Sequence, residues 1–239
     1  MKKVLLIGLA LVFAIATQAQ DVRKQTGGEH NFEMMLAPLG SNPLSIAGIK
    51  YRKFTSATTA IRASVFLGFS TDKSQFNSYP DGTPAPGAIS NDDGTETTFP
   101  TVTANEFEIT IAPGVEKHFS GTDRLSPYTG AELVLGFMSS SEKYEQLNDD
   151  GDAFEDGVTV KDGSFSVGAN VLGGADYYFA NNIYLGGEFG FGVLFTTNFD
   201  TKVEPADGDE VTSGPNGNNL SIAPNFVGKI RVGWLFIKS

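Results

Sequence analysis

Along most of its length the chain alternates apolar and polar residues with a period of two. That is the spacing of strands whose two faces meet different surroundings. Eight such runs stand out, near residues 31–39, 45–54, 58–70, 104–119, 126–139, 163–179, 183–196 and 219–237. In the last, Leu220, Ile222, Phe226, Ile230, Val232, Trp234 and Phe236 share one parity, while Ser221, Asn225, Lys229, Arg231 and Gly233 share the other. The seventh sets Ile183, Leu185, Phe189, Phe191, Val193 and Phe195 against Tyr184, Gly186, Glu188, Gly190 and Gly192. The sixth sets Phe165, Val167, Val171, Tyr177 and Phe179 against Ser166, Asn170, Asp176 and Tyr178. The fifth reads as Leu133, Leu135 and Phe137 against Thr129 and Glu132; the fourth as Phe107, Ile109, Ile111 and Val115 against Glu106, Glu108, Thr110 and Glu116. The third sets Ile61, Val65 and Leu67 against Arg62 and Ser64, and the first two carry Glu33, Lys50 and Arg52 on the polar side.

These runs exceed the five or six residues of an ordinary strand. Several are long enough to cross an apolar band of about 25 Å, which takes roughly 9–11 tilted residues. Their connections alternate in length. Turns near 54–58, 119–125 and 180–182 are short, whereas 71–103, 140–162 and 197–218 are long and rich in Asp, Gly, Asn and Pro. The pattern predicts an all-β fold: a closed, antiparallel, up-and-down transmembrane β-barrel of eight strands over 31–239, with short periplasmic turns and long acidic external loops. The 71–103 stretch leaves a ten-strand alternative, with Gln75–Tyr79 and Thr95–Val102 as the arms of a further hairpin.

The first segment fits an exported chain. Met1-Lys2-Lys3 is a positive start, Val4–Ala16 is an apolar run of 13 residues, and Thr17-Gln18-Ala19 offers small residues for cleavage. Residues 1–19 therefore read as a cleaved signal peptide, the run being shorter than the roughly 20 residues a spanning helix needs. Residues 20–30 read as a short periplasmic segment, and no later stretch is long and apolar enough for a membrane helix.

Charge changes the picture further. The formal net charge is −11, with 28 Asp+Glu against 17 Lys+Arg. The three long loops hold 18 acidic and 4 basic residues, so the strands are nearly neutral. Within the strands only Lys53 and Lys117 fall on the apolar parity, and both sit at strand ends where a long side chain can reach the interface. Aromatics sort into two girdles: Phe69, Phe137, Phe165 and Phe195 near the external rim, and Tyr51, Phe119, Tyr177, Phe179, Trp234 and Phe236 near the periplasmic one. A soluble barrel with its apolar face inward is the competing reading, but nothing there would call for girdles. Pro113 and Pro224 interrupt the donor pattern and predict a bulge at each, or pairing that starts after Pro224.

On these features the chain resembles small eight-stranded outer-membrane barrels of the OmpA-transmembrane or OmpW-like type. Its Lys-Lys leader ending Thr17-Gln18-Ala19-Gln20 is similar to precursors of the Bacteroidetes group. The resemblance implies an integral protein of a Gram-negative outer membrane, in contact with outer-membrane lipid. It also implies recognition of the C-terminal strand by barrel-assembly machinery, and contact with other outer-membrane proteins. The chain departs from the pattern by ending Phe236-Ile237-Lys238-Ser239 rather than on an aromatic.

Eight strands enclose a space that side chains nearly fill. The polar parity predicts a lumen charge network of Glu33, Lys50, Arg52, Arg62, Glu108, Glu132, Asp176, Glu188, Lys229 and Arg231, with Glu106 and Glu116 on the same face. Such a network plugs the barrel; inward glycines (Gly136, Gly168, Gly174, Gly186, Gly190, Gly192) would leave room for water and keep a small pore or solute path as the alternative. The reading is a non-enzymatic barrel with a structural or accessory role. Some related barrels modify lipids with His and Ser or acidic partners near the external side, but His30 and His118 fall at the other end, as interfacial residues.

Zero Cys removes disulfide frameworks and thiolate sites. The acidic balance argues against nucleic acid as a partner, and no cofactor is expected. Asp149, Asp150, Asp152 and Asp156 have the oxygen-rich look of a weak calcium site but lack EF-hand spacing. The plainer reading is a solvated acidic loop. Gly190-Phe191-Gly192 lies inside a strand with no helix after it, so nucleotide binding is discarded.

Overall fold

A computed structural model describes residues 24–36, 46–82, 84–87, 89–90, 97–148, 153–206, 208–213, 216–225 and 230–236. Among them every regular element is a strand: β1 (His30–Leu36), β2 (Ile46–Ser56), β3 (Thr59–Gln75), β4 (Ile89–Ser90), β5 (Thr97–Thr98), β6 (Thr101–His118), β7 (Leu125–Leu147), β8 (Phe154–Ala180), β9 (Ile183–Asn198), β10 (Lys202–Glu204), β11 (Val211–Thr212), β12 (Asn218–Asn225) and β13 (Ile230–Phe236). All pairings are antiparallel. They run β1-β2-β3-β6-β7-β8-β9-β13 and return to β1, with His30 opposite Phe236. Pairing in a ring leaves no edge in the lower wall, as a membrane demands of a sheet.

Counting β12 and β13 as two parts of one wall strand gives eight. Among the described residues the ten-strand alternative does not occur. β3 and β6 instead extend each other up to Gln75 opposite Thr101, and β4–β5 is a separate two-residue ladder. The long loops are shorter than expected, because β7 and β8 stay paired from Leu125/Tyr177 to Leu147/Phe154, well past the apolar band. Apolar side chains there, such as Tyr144, Val158 and Val160, are too few to form an alternating run, so the backbone ladder continues where alternation does not reveal it.

The faces divide by parity. Leu67, Phe69, Leu133, Val171, Phe189, Leu220, Ile222 and Trp234 are among the large apolar side chains left exposed on the outside. On β8 the outward apolar stretch from Phe165 to Tyr177 covers roughly 40 Å of strand, about 29 Å when tilted by 45°. Thr129 corrects the expected pattern. It shares parity with Leu133 and points outward, its hydroxyl donating to the Leu172 carbonyl at 2.8 Å.

The prolines act differently from expectation. At Pro113 there is no bulge: Ile111 pairs with Leu135 and Gly114 with Glu132, so two rungs of the β6–β7 ladder are missing but the register is unchanged. Pro113 keeps its rung with Ala63 on the other side. Pro224 is itself paired, opposite Phe191, on a segment whose second side has no strand neighbour among the described residues. A missing donor there costs no ladder bond. Pairing to β9 resumes at Arg231–Gly186, two residues out of step with Asn225–Gly190.

Candidate functional site

The inward parity of the lower strands converges on a packed polar core. Arg52 on β2 sits at its centre. Its Nε lies 2.6 Å from Glu33 Oε1, its Nη1 2.8 Å from Glu116 Oε2, and its Nη2 2.7 Å from Asp176 Oδ2. Arg231 on β13 ties the same Glu33 (2.7 Å) and Asp176 (3.0 Å) from the other side. Above them Arg62 on β3 spans Glu116 (3.0 Å), Glu132 (3.1 Å) and Glu188 (2.8 Å), and Lys50 reaches Glu188 at 3.0 Å. Four cations thus face five carboxylates, and all eight wall strands contribute at least one of these side chains. The side chains of Lys50, Arg52, Glu33, Glu116 and Asp176 are wholly buried, and the most open member, Glu188, is 15% exposed.

Tyrosines complete the packing. Tyr184 accepts from Arg52 and donates to Asn31 Oδ1 at 3.0 Å, and Tyr128 donates to Glu188 Oε2 at 2.5 Å. The Arg52 guanidinium lies 5.2–5.7 Å from the ring centres of Tyr184, Phe54 and Tyr128, within cation–π range. Asn170 donates to Glu132 at 3.0 Å.

The inward glycines are seats for these groups and not water-filled gaps. A Cβ on Gly233 would stand 2.1 Å from the Tyr184 ring, on Gly174 2.5 Å from the Tyr128 hydroxyl, and on Gly186 2.6 Å from both Arg231 and Asp176. Gly192 is filled by Asn170 and Gly168 by Leu194. Gly136, by contrast, keeps ordinary spacing, 3.4 Å from Ser166 and Thr110.

Higher up the lumen opens. Glu108 and Glu106 have inward parity but are exposed, and among the described residues no cation pairs with either; Glu108 only accepts from Thr110 at 3.5 Å. Glu108 is therefore not part of the network, since the four described lumen cations all belong to the lower layer. Lys229 lies outside the described residues. Glu116, read on the lumen face from its parity, joins the network, and Tyr128, Tyr184 and Asn31, which carry no charge signal, belong to the core on the same inward face.

At the short-turn end, His118 is buried and not interfacial. Its Nδ1 lies 2.9 Å from Ser126 Oγ and its Nε2 3.1 Å from Glu116 Oε2. Beside it Phe54, Ala60 and Leu235 form a small apolar cluster. Gln25, with no sequence signal at all, is buried against the same groups. His30 is half-buried on the outer face, 2.5 Å from the Tyr51 hydroxyl. The aromatics assigned to the girdles lie on the outward parity: Phe69, Phe119, Phe137, Phe165, Tyr177, Phe195, Trp234 and Phe236 are exposed there, and Tyr51 and Phe179 are half-buried. Asp149, Asp150 and Asp152 lie outside the described residues. Asp156 is ion-paired with Lys143, and the described residues contain no cluster suited to a metal.

A ring of eight strands, apolar outside and ion-paired inside, defines a membrane-spanning β-barrel with a filled lower lumen. The chain belongs to the putative OmpA-OmpF-like porin family, whose model matches residues 40–210. It is an outer-membrane β-barrel protein. It is also similar to the crystal structure of CarO from Acinetobacter baumannii, at 13% identity and a TM-score of 0.36, over 90% of this chain and all of that one. No similar protein was found among curated sequences.

Proposed function

We propose that this protein is a non-enzymatic outer-membrane barrel that does not conduct, with a structural or accessory role in envelope integrity or in docking to an outer-membrane complex. The observation that carries this reading is the buried layer of four cations and five carboxylates across the lower lumen. Breaking one such buried pair costs about 3–5 kcal/mol, and solute passage would require several to separate together. Residues 1–19 would direct export, and the C-terminal strand would engage the assembly machinery. In planar bilayers the purified protein is expected to give no stable channel. Reproducible single-channel steps would favour the second reading, a small gated pore, which the family's porin character and the open upper lumen support. Mass analysis of lipid A from cells with and without the protein is expected to show no change, in keeping with a non-enzymatic role.

A further inference from the structure

The short-turn mouth is crossed by a strap. Residues 24–29 lead from the β6–β7 turn to the start of β1, on opposite sides of the eight-strand ring, so the segment spans a diameter. At one end Lys24 Nζ donates to the Thr122 carbonyl at 2.5 Å. At the other, Gly28 N–H donates to the Phe54 carbonyl at 2.8 Å and Phe54 N–H to the Glu29 carbonyl at 2.9 Å. Between these ties the Gln25 side chain turns into the barrel and is buried.

Both halves of the Gln25 carboxamide are matched. Its Oε1 accepts from the Tyr178 hydroxyl at 3.1 Å. Its Nε2 donates to Ser126 Oγ at 2.5 Å and faces His118 Nδ1 at 3.3 Å. The network behind fixes the acceptor. Glu116 is held by Arg52 and Arg62, and as a carboxylate it accepts a hydrogen bond from His118 Nε2–H, which leaves Nδ1 as an acceptor facing the Ser126 hydroxyl at 2.9 Å and Gln25 Nε2 at 3.3 Å. A carboxylate in the same place would set another negative charge against the His118 lone pair, close to Glu116. We infer that the mouth is a socket for a primary carboxamide, filled in cis by Gln25.

Gly27 (φ 114°) and Gly28 (φ 90°) are consecutive residues in the left-handed region, between Gln25 and the anchor at Glu29, and both are exposed. The socket's ligand is carried on the strap and not on a strand of the barrel wall. A primary carboxamide from another molecule meets the same donors and acceptors once Gln25 is removed.

The test uses the full mature chain folded in detergent, with propionamide as the probe. Gln25→Gly is expected to melt below the parent, and millimolar propionamide to raise its melting temperature without moving the parent's. Propionate at equal concentration should not rescue it. Equal rescue by both, or an equal shift in both proteins, would overturn the inference. Because the chain lacks cysteine, Ser126→Cys gives an independent reading: a polar maleimide should label it at least tenfold faster with Gln25→Gly than with Gln25 in place, and propionamide should slow it again. Equal rates in both backgrounds would sink the socket. If the glycine variant does not fold, Gln25→Glu replaces it; melting equal to the parent's would be equally fatal.

Discussion

At the scale of single residues, the lumen core depends on buried charges that are each shared among several partners. Arg52 alone bridges Glu33, Glu116 and Asp176. Arg52→Met would leave Glu33 and Asp176 to Arg231 and Glu116 to Arg62, with one buried positive charge fewer among five buried carboxylates, and is expected to cost about 3–5 kcal/mol of unfolding free energy. Denaturant unfolding in micelles measures it; a loss under 1 kcal/mol would show that water, not Arg52, compensates these acids. The glycine seats make a sharper contrast. Gly233→Ala forces a methyl into the Tyr184 ring and is expected to destabilise by about 1–3 kcal/mol, whereas Gly136→Ala has ordinary contact distance and should be near neutral. Heat-modified gel mobility compares the two. At the strap, burial pushes the Glu29 carboxyl up, but the Thr26 hydroxyl and the Thr26 and Gly27 amides outweigh it and hold it below the usual carboxylate range. Its contribution is therefore present above the unfolded value and lost as pH falls through the lowered folded value. Acidification into that range is expected to lower the melting temperature, and Glu29→Gln to remove this part of the pH dependence.

At the scale of elements, each strand serves two solvents, and position along it sets the cost of error. A charge at Leu133, in the middle of β7's outward face, is expected to cost about 2–4 kcal/mol, whereas one at Phe69, beside the polar extension of β3, should cost about 0–1 kcal/mol. Unfolding from lipid vesicles of Leu133→Arg and Phe69→Arg checks the depth assignment; equal costs would contradict the placing of the band. Exposed ion pairs on the extensions, such as Lys73–Glu145 and Lys161–Glu204, lie in water and should each contribute no more than about 1 kcal/mol. The extension is instead pinned by Phe76, which packs against Tyr79 and Tyr144 with ring centres 5.0 and 5.1 Å away, and by Tyr79 donating to the Glu145 carbonyl.

At the scale of the whole molecule, the barrel is stoppered low and open high. The strap and the His118 layer close one mouth, the ion-paired layer lies above them, and the outer half holds exposed Glu106 and Glu108. Removing the strap's grip with Gln25→Gly is therefore expected to leave the protein non-conducting, because the ion-paired layer remains. Bilayer recording of that variant separates a mouth plug from a channel gate.

Strand number, strand order around the ring, the lipid-facing set and the lumen-facing set all follow from a two-residue period and unequal connections, because a membrane strand must satisfy opposite surroundings on alternate residues. Leu133, Phe191 and Trp234 outside, and Arg52, Asp176 and Arg231 inside, are legible from parity alone. What parity does not carry is height and depth. Glu108 shares its face with Glu116, yet one meets water and the other two arginines, and only the stagger of neighbouring strands separates them. The same holds for the glycines, whose partners come from other strands, and for the paired stretch beyond the membrane, where both faces meet water and no alternation is required. Gln25 belongs to no pattern at all: its place is set by closure of the ring, which brings Ser126, His118 and Tyr178 from three strands around one amide.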